Sequence, residues 1–268
     1  MAKPDSNVAH MALTMGSDSM ILTDASVDTV QQEFSAPTTG HFAGKTIPAM
    51  VTKAEFSFYL AALEGAADVS DWIAQFIKTR MSELKSDLAF SALDAKYEVT
   101  SRVELLEAQI TEVRFPAFDA ASKDPIKLTV KLSGKAKWLK GEGELIRGTR
   151  ANKNLMSSNF RVEIGGLPTE HVTKLDSMIF TRGGCPDLAL TVATKDIDPF
   201  NEWFTARVIK GSRASSSGTQ GSLEVLDASL LKPKFELQFF ELLPIALRLG
   251  SLVFEVRVSS GRMSFKRN

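Results

Sequence analysis

The stretch Phe160-Arg-Val-Glu-Ile164 alternates apolar and polar residues without a fault, as expected for a β-strand with one buried face. The same period of two runs through Ile126–Leu132, Phe235–Phe239 and Phe254–Val258. Strands of this type bury one face and expose the other to water, which is typical of antiparallel sheets and barrels. The sequence therefore predicts a mainly β fold.

Two amphipathic helices are predicted between the strands. The first covers Val69–Leu84, with Ser70 or Asp68 as its cap. The second covers Asp198–Lys210, with Asp198 as N-cap, Pro199 at the first helical position and Gly211 at the end. The stripes expected to be buried are Val69, Trp72, Ile73, Phe76, Ile77, Met81 and Leu84 in the first helix, and Phe200, Trp203, Phe204 and Val208 in the second.

The two halves of the chain share one pattern at a shift of about 132 residues, which indicates a repeated unit. Strand, helix, loop, strand, loop and strand follow in the same order in both halves. The matched segments are Phe56, Phe58 and Leu60 with Leu188, Leu190 and Val192; Trp72-Ile73 with Trp203-Phe204; Ile77-Lys78 with Ile209-Lys210; Leu93-Asp94-Ala95 with Leu226-Asp227-Ala228; Glu104-Leu105 with Glu236-Leu237; Leu128–Lys131 with Phe254–Arg257; and Ser133–Lys135 with Ser260–Arg262. Such agreement in order predicts a tandem duplication.

The duplication and the changes in composition predict the domain organisation. Residues 1–45 form a polar N-terminal arm that can contribute strands to the first barrel, and residues 46–139 form the first, diverged unit. Residues 140–158, rich in glycine and charge, are predicted to be a linker, and residues 159–268 the second unit. The stretch Ser212–Ser222 has the composition of a flexible loop.

Composition excludes several classes of protein. The chain has 268 residues with 32 acidic and 32 basic side chains, whereas a dedicated nucleic-acid binder usually has a basic excess. The one cysteine, Cys185, allows no intramolecular disulfide and no thiolate metal cluster. The N-terminal stretch Met1–Val27 has no apolar core of signal-peptide length, and the longest nearly apolar stretch, Leu242–Leu247, is too short to span a bilayer. A soluble protein from a reducing compartment, without a membrane partner, is expected.

No constellation of residues predicts catalysis, a cofactor or a metal. Gly141-Glu142-Gly143 lacks the third glycine of a dinucleotide loop, and a charged segment follows where a helix would begin. The charged loop Asp119–Asp124 is explained as a solvated turn. The histidines His10, His41 and His171 are isolated from one another and from Cys185. Because nothing assembles a nucleophile, a base and an oxyanion site, an enzyme is not predicted.

The second half resembles the tail-tube proteins of contractile phages and of related contractile injection systems. The resemblance rests on Phe160–Leu167, Val172–Asp176, Pro186–Val192, Phe200–Phe204, Val208–Gly211 and Gly221–Leu226, followed by amphipathic strands to Phe265. The first half resembles the family from Phe56 to Trp138. We expect the counterpart of the opening Phe-x-Val-x-Ile strand within residues 20–50.

The resemblance implies a fold and an assembly. The fold would be mainly β with flanking helices (α+β): two tandem tail-tube-like β-barrel or sandwich domains, each with one amphipathic helix. Subunits of the family form six-fold rings stacked as a hollow tube, so a chain with two units is expected to form a trimer with pseudo-sixfold symmetry, or otherwise a hexamer.

The resemblance also implies a location and partners. The protein would be made in the bacterial host cytoplasm and be part of a virion tail or an injection particle, in the tail tube or its baseplate-proximal initiator. Neighbouring tube rings and sheath or baseplate hub proteins would bind it, and DNA or protein cargo would pass through the lumen without sequence-specific binding. The alternative is a monomeric two-barrel module that binds a protein or a carbohydrate through its loops.

Overall fold

Two barrel-like antiparallel sheets of eight strands each make up most of the protein. The computed structural model describes residues 8–30, 51–79, 84–140, 143–148, 155–209 and 219–268. The predicted class, mainly β with flanking helices in two tandem units, is confirmed. One continuous hydrophobic core runs through both units.

The first unit begins with residues of the predicted N-terminal arm, which form three of its strands. Its sheet has the order β2-β1-β5-β6-β8-β4-β3. The strands are β1 (His10–Met15), β2 (Asp18–Leu22), β3 (Asp24–Val30), β4 (Val51–Tyr59), β5 (Ser86–Leu93), β6 (Val99–Phe115) and β8 (Lys127–Lys140). A 3-10 turn at Leu60–Gly65 and helix α1 (Ala67–Thr79) connect β4 to β5.

The second unit repeats this plan. Its sheet has the order β7-β10-β12-β15-β14-β13-β9, with β16 also on β14. The strands are β7 (Phe118–Asp119), β9 (Phe160–Ile164), β10 (Val172–Leu175), β12 (Leu188–Ala193), β13 (Thr219–Leu226), β14 (Pro233–Leu249), β15 (Val253–Ser259) and β16 (Arg262–Arg267). A 3-10 turn at Thr194–Asp196 leads into α2 (Ile197–Phe204), which continues as a π-helical turn over Thr205–Ile209.

Matching backbone irregularities support the duplication. The long strands β6 and β14 each have 17 residues, and each contains a glutamate with positive φ, Glu107 at 50° and Glu241 at 58°. A glycine lies against each bulge: a Cβ on Gly134 or on Gly261 would collide with the strand that carries the glutamate. Positive φ in a non-glycine residue is uncommon, so two such bulges at matching positions are strong evidence of a common unit.

The turn after β5 recurs after β13. The carboxylate of Asp94 accepts backbone N–H groups of the following turn, and Asp227 does the same in the second unit. The third residue after each aspartate has positive φ, Tyr97 at 68° and Leu230 at 60°. These turns confirm the match of Leu93-Asp94-Ala95 with Leu226-Asp227-Ala228.

The pairing registers correct parts of the sequence alignment. The strands β4 and β12 lead into 3-10 turns that begin at Leu60 and at Thr194, so Phe58 corresponds to Val192 rather than to Leu190. Their partners across the sheet, Leu128 and Phe254, therefore correspond to each other, as the sequence predicts.

The same two-residue correction applies to the Glu104-Leu105 match. In the antiparallel pairs β5–β6 and β13–β14, Leu88 lies opposite Leu105 and the equivalent Gly221 lies opposite Phe239, so Leu105 corresponds to Phe239 rather than to Leu237. A shift of two residues keeps each side chain on its face, so alternation could not detect it.

The counterpart of the opening strand lies earlier than expected. Residues Met11, Leu13 and Met15 of β1 lie opposite Ala92, Phe90 and Leu88, as β9 lies opposite β13. The expectation that this strand lies within residues 20–50 was therefore wrong. Where β9 has the motif Phe-x-Val-x-Ile, β1 has Met-x-Leu-x-Met, and these side chains occupy the equivalent positions.

Helix α1 buries the predicted stripe but begins earlier than predicted. Because it starts at Ala67, both Asp68 and Ser70 lie in its first turn and neither precedes the helix as a cap. Val69, Trp72, Ile73, Phe76 and Ile77 are buried. The helix ends at Thr79, Leu84 follows it and packs against the core, and Met81 lies outside the described residues.

Helix α2 also begins earlier, at Ile197, with Asp196 at the N-cap position instead of Asp198, and Pro199 follows in the first turn. Phe200 is fully buried, as predicted. Val208 was predicted to be buried, which was wrong: its side chain is 48% exposed. Lys210 and Gly211 lie outside the described residues, as do residues 212–218 of the predicted loop.

The predicted linker has packed segments. Ile146 is buried, and the backbone N–H of Ile146 donates to the carbonyl of Tyr97 at 3.0 Å. Met156 forms a β-bridge with Pro125 of the first unit. Gly141-Glu142 lies outside the described residues, while Gly143 has a φ of 71°. The domain boundaries stay a prediction.

Candidate assembly interface

The two histidines of the described residues, His10 and His171, lie in different units of the fold. His10 is on β1 and stacks on Tyr97 with ring centroids 4.5 Å apart. In the second unit, Nδ1 of His171 lies 2.8 Å from Oδ2 of Asp196, and Nε2 lies 2.7 Å from Nζ of Lys195. His41 lies outside the described residues. The structure does not bring the described histidines together.

The remaining candidates have structural contacts. Cys185 is half-buried and packs against the core. In the loop Asp119–Asp124, the carboxylate of Asp119 accepts the backbone N–H of Ala121 at 2.8 Å, and Ser122 Oγ accepts that of Asp124 at 3.0 Å. Among the described residues, no cluster of His, Cys, Asp and Glu is suited to a metal ion, and no helix has the length and apolar character to cross a membrane.

The two units contact each other through exchanged strands. Strand β11 (Met178–Thr181) belongs to the second unit by sequence but pairs with the end of β6, with Met178 opposite Phe115. In return, β7 leaves the first unit and pairs with β10, with Phe118 opposite Leu175. Each sheet is thus extended by a strand from the other unit, and neither exchange was predicted from the sequence.

Aromatic side chains fill the space beneath the exchanged strands. The ring of Phe115 lies edge-on to Phe180 of β11 and to Phe265 of β16, each with centroids 5.7 Å apart. Phe118 packs against Phe160 of β9 at 5.9 Å. All of these side chains except Phe160 are fully or almost fully buried. Such aromatic contacts contribute beyond the apolar area that they bury.

Polar groups complete the contact at its edge. The guanidinium of Arg267, at the end of β16, donates through Nη1 to the carbonyl oxygens of Leu63 at 2.9 Å and Glu64 at 3.1 Å. Lys234 forms an ion pair with the Glu64 carboxylate at 3.3 Å. Helix α1 packs along β16, so the helix of the first unit is covered by the last strand of the second.

The contact joins different surfaces of two equivalent units. The first unit contributes the end of β6, α1 and β7, whereas the second contributes β10, β11 and β16. A contact between unlike surfaces is heterologous, and repetition of such a contact gives a ring if the rotation closes and a filament if it does not. The site is therefore suited to assembly.

Large apolar side chains remain exposed at both outer sides of the pair of units. Trp138 is exposed near the end of β8 in the first unit. In the second unit, the exposed side chains around α2, β14 and the start of β15 are Val208, Ile209, Leu243, Ile245, Leu249, Leu252 and Val253, while Leu230 and Leu231 are exposed in the turn before β14. Monomeric proteins rarely expose large contiguous apolar patches, and such patches mark interaction sites. The repeat in the sequence could have indicated these exposed residues, because several of them match residues that are buried in the other unit.

No family model and no curated protein matches this chain. Several solved structures are similar to it. One is the anti-feeding prophage cap, the AFP tube terminating cap, with 20% identity and a TM-score of 0.37; the similarity covers 53% of this chain and 95% of that chain. Another is Hcp1 from Flavobacterium johnsoniae, with 15% identity, a TM-score of 0.32, and coverage of 49% of this chain and 96% of that one.

A third is an extracellular contractile injection system, the PVC sheath-tube complex in the extended state, with 17% identity and a TM-score of 0.36. This similarity covers 52% of this chain and 92% of that chain. Of these three structures, one is described as a tube terminating cap and one as the sheath-tube complex of a contractile injection system.

Proposed function

We propose that this protein is a structural component of a phage tail or of a phage-derived injection machine, where it forms a ring of the inner tail tube or of its baseplate-proximal initiator. The observation that carries the proposal is the strand exchange between two equivalent units within one chain. A chain in which two tube-like units already join side by side is one third of a six-unit ring. The protein would have no catalytic role.

A trimer is the favoured assembly. Three copies present six quasi-equivalent barrels, which lets a threefold component meet a sixfold tube. The exposed apolar side chains at both outer sides of the chain are suited to further contacts of the internal kind. A hexamer, with twelve units, is the other assembly that the same surfaces allow.

The lumen of this ring would conduct cargo without binding it tightly. The whole chain has equal numbers of acidic and basic residues, and a lumen wall with the same balance would not hold a polyanion by counterion release. DNA or a protein could therefore pass. Neighbouring tube rings and sheath or baseplate hub proteins would contact the ring above, below and outside, in a particle assembled in the bacterial cytoplasm.

Native mass spectrometry together with negative-stain electron microscopy tests this function. A ring with a central hole, and a mass three times the 29.3 kDa of one chain, is the expected result. A ring of six chains would support the same tube function, with a hexamer as the assembly instead of a trimer. A chain that stays monomeric at high concentration would contradict the proposal and favour a two-barrel module that binds a protein or a carbohydrate.

A further inference from the structure

We infer that the two outer sides of the chain are the two halves of the contact found in its middle, so that a second copy of this chain binds head to tail. The outer side of the second unit, around the end of β14 and α2, would receive the outer side of the first unit, around the end of β8. This inference rests on the proposed ring and assigns its contact between chains. The end of β6, the helix α1 and the strand β16 have equivalents at the outer sides, and the equivalent side chains differ from them in exposure.

The end of β14 corresponds to the end of β6. Phe115 is the last residue of β6 and Leu249 the last of β14, at the same distance from the bulge glutamates. Phe115 is buried beneath β11 and β16, whereas Leu249 is 67% exposed. Three residues farther on, Phe118 is fully buried by the second unit, whereas Leu252 is 81% exposed. Equivalent positions are thus apolar in both units but covered only where a neighbouring unit is present.

The helices show the same difference. Ile77 near the end of α1 is fully buried, and β16 of the second unit lies along this helix. Ile209 matches Ile77 in the repeat and is 70% exposed. The strand that would cover Ile209 in the same way is the equivalent of β16 from another copy, which is the second half of β8.

The second half of β8 carries the complementary side chain. Phe265 on β16 and Trp138 on β8 are each the fourth residue after the glycine at the bulge, Gly261 or Gly134. Phe265 packs against Phe115 and is almost fully buried, whereas Trp138 is 63% exposed. By this equivalence, Trp138 of one copy packs against Leu249 of the next.

The backbone at the end of β14 is also open to a partner. On one side β6 pairs with β8 and on the other its last residues pair with β11. The end of β14 pairs with β15 on one side, and no strand in the described ranges pairs with it on the other. Unpaired N–H and C=O groups on a strand edge are a template for pairing with another chain. The free edge and the exposed apolar side chains therefore both favour binding of a second copy.

Substitutions at each outer side test this contact. Trp138→Glu damages one half and Leu249→Glu the other, while Leu231→Glu is the matched control, because Leu231 is 79% exposed but lies in the turn before β14, away from both halves. Each of the first two variants is expected to weaken chain association about 30-fold or more, as loss of a central apolar anchor does. The control is expected to assemble like the unchanged chain.

A mixing experiment distinguishes head-to-tail contact from any contact between like surfaces. The Trp138→Glu copy retains an intact Leu249 side and the Leu249→Glu copy an intact Trp138 side. An equimolar mixture, with one variant labelled with ¹⁵N and examined by native mass spectrometry, should therefore give one-to-one heterodimers that grow no further. Each variant alone should be monomeric. Homodimers of either variant would overturn the inference, because they require contact between like surfaces.

Urea unfolding of each variant checks that the chain still folds, and Trp138→Thr and Leu249→Thr repeat the test with residues that favour strands. If the unchanged chain assembles and both pairs of variants assemble equally well, the assigned contact is wrong while the proposed function stands. If the unchanged chain itself is monomeric at high concentration, the proposed function and the contact are both wrong.

Discussion

Replacement of Phe115 by alanine tests whether the two units depend on each other for stability. Phe115 is the last residue of β6 and is almost fully buried between Phe180 and Phe265, both contributed by the second unit. Its equivalent Leu249 is exposed in a single chain, so Leu249→Ala is the matched control. The two substitutions truncate equivalent positions, and only the first removes contacts between the units.

The expected magnitude follows from burial. Truncation of a buried phenylalanine to alanine costs about 3–5 kcal/mol in free energy of unfolding, because the lost transfer energy adds to the cost of the cavity. The edge-on contacts with Phe180 and Phe265 each contribute about 0.5–1.5 kcal/mol of this. We therefore expect a loss of about 4 kcal/mol. Leu249→Ala is expected to change the free energy by about 0.5 kcal/mol or less, as at other exposed positions.

Equilibrium urea unfolding, followed by tryptophan fluorescence and by circular dichroism, measures both changes. The protein concentration is kept where native mass spectrometry shows a monomer, so that assembly does not contribute. A double-mutant cycle of Phe115→Ala with Phe180→Ala isolates the contact across the units, with an expected coupling of about 0.5–1.5 kcal/mol. If Phe115→Ala lowers the free energy of unfolding by less than about 1 kcal/mol, or if Leu249→Ala lowers it equally, the second unit does not bury Phe115 as described.

Two further predictions concern the bulge in β6. A Cβ at Gly134 would lie 2.8 Å from a leucine side chain and 3.0 Å from a backbone oxygen. Gly134→Ala is therefore expected to lower the free energy of unfolding in urea by about 1–3 kcal/mol. Gly184→Ala is the control, because a Cβ there would meet open space, and it should be neutral or slightly stabilising. Hydrogen bonds from Lys135 and Lys85 lower the pKa of Glu107 from 4.5 to about 2. The stabilising effect of its charge is therefore present above about pH 4.5 and is lost as the pH falls towards 2. NMR titration of the carboxyl group should show this low pKa, and a midpoint near 4.5 would contradict it.

The regular strands could be predicted because burial alternates with the pleat. β9 begins and ends at the predicted residues, and the alternating stretches at 235–239 and 254–258 lie within β14 and β15. β1 was missed as the counterpart of β9. Its sequence, HMALTM, has methionine and alanine in place of β-branched and aromatic residues, so its strand preference is weak although its inward side chains are buried.

The strand exchange could not be predicted from local pattern. β7 has two residues and β11 has four, which is too short for a period of two to be recognised. Their partners are far away in the sequence, and pairing between distant segments is specified by tertiary packing rather than by propensity. The sequence therefore predicted two units joined by a linker, because it shows the repeat of the unit but not the contact between the two copies.

Val208 shows how a wrong prediction of burial is informative. Its spacing with Phe200 and Phe204 is that of a buried helix stripe, and the matching stripe of α1 is indeed buried. The difference lies outside the helix: β16 covers α1, and no strand of the described residues occupies the equivalent place beside α2. An apolar stripe that a single chain leaves exposed is costly to solubility, unless another copy covers it. The proposed head-to-tail contact supplies that cover through β8, so the sequence pattern would describe the assembled ring rather than the isolated chain.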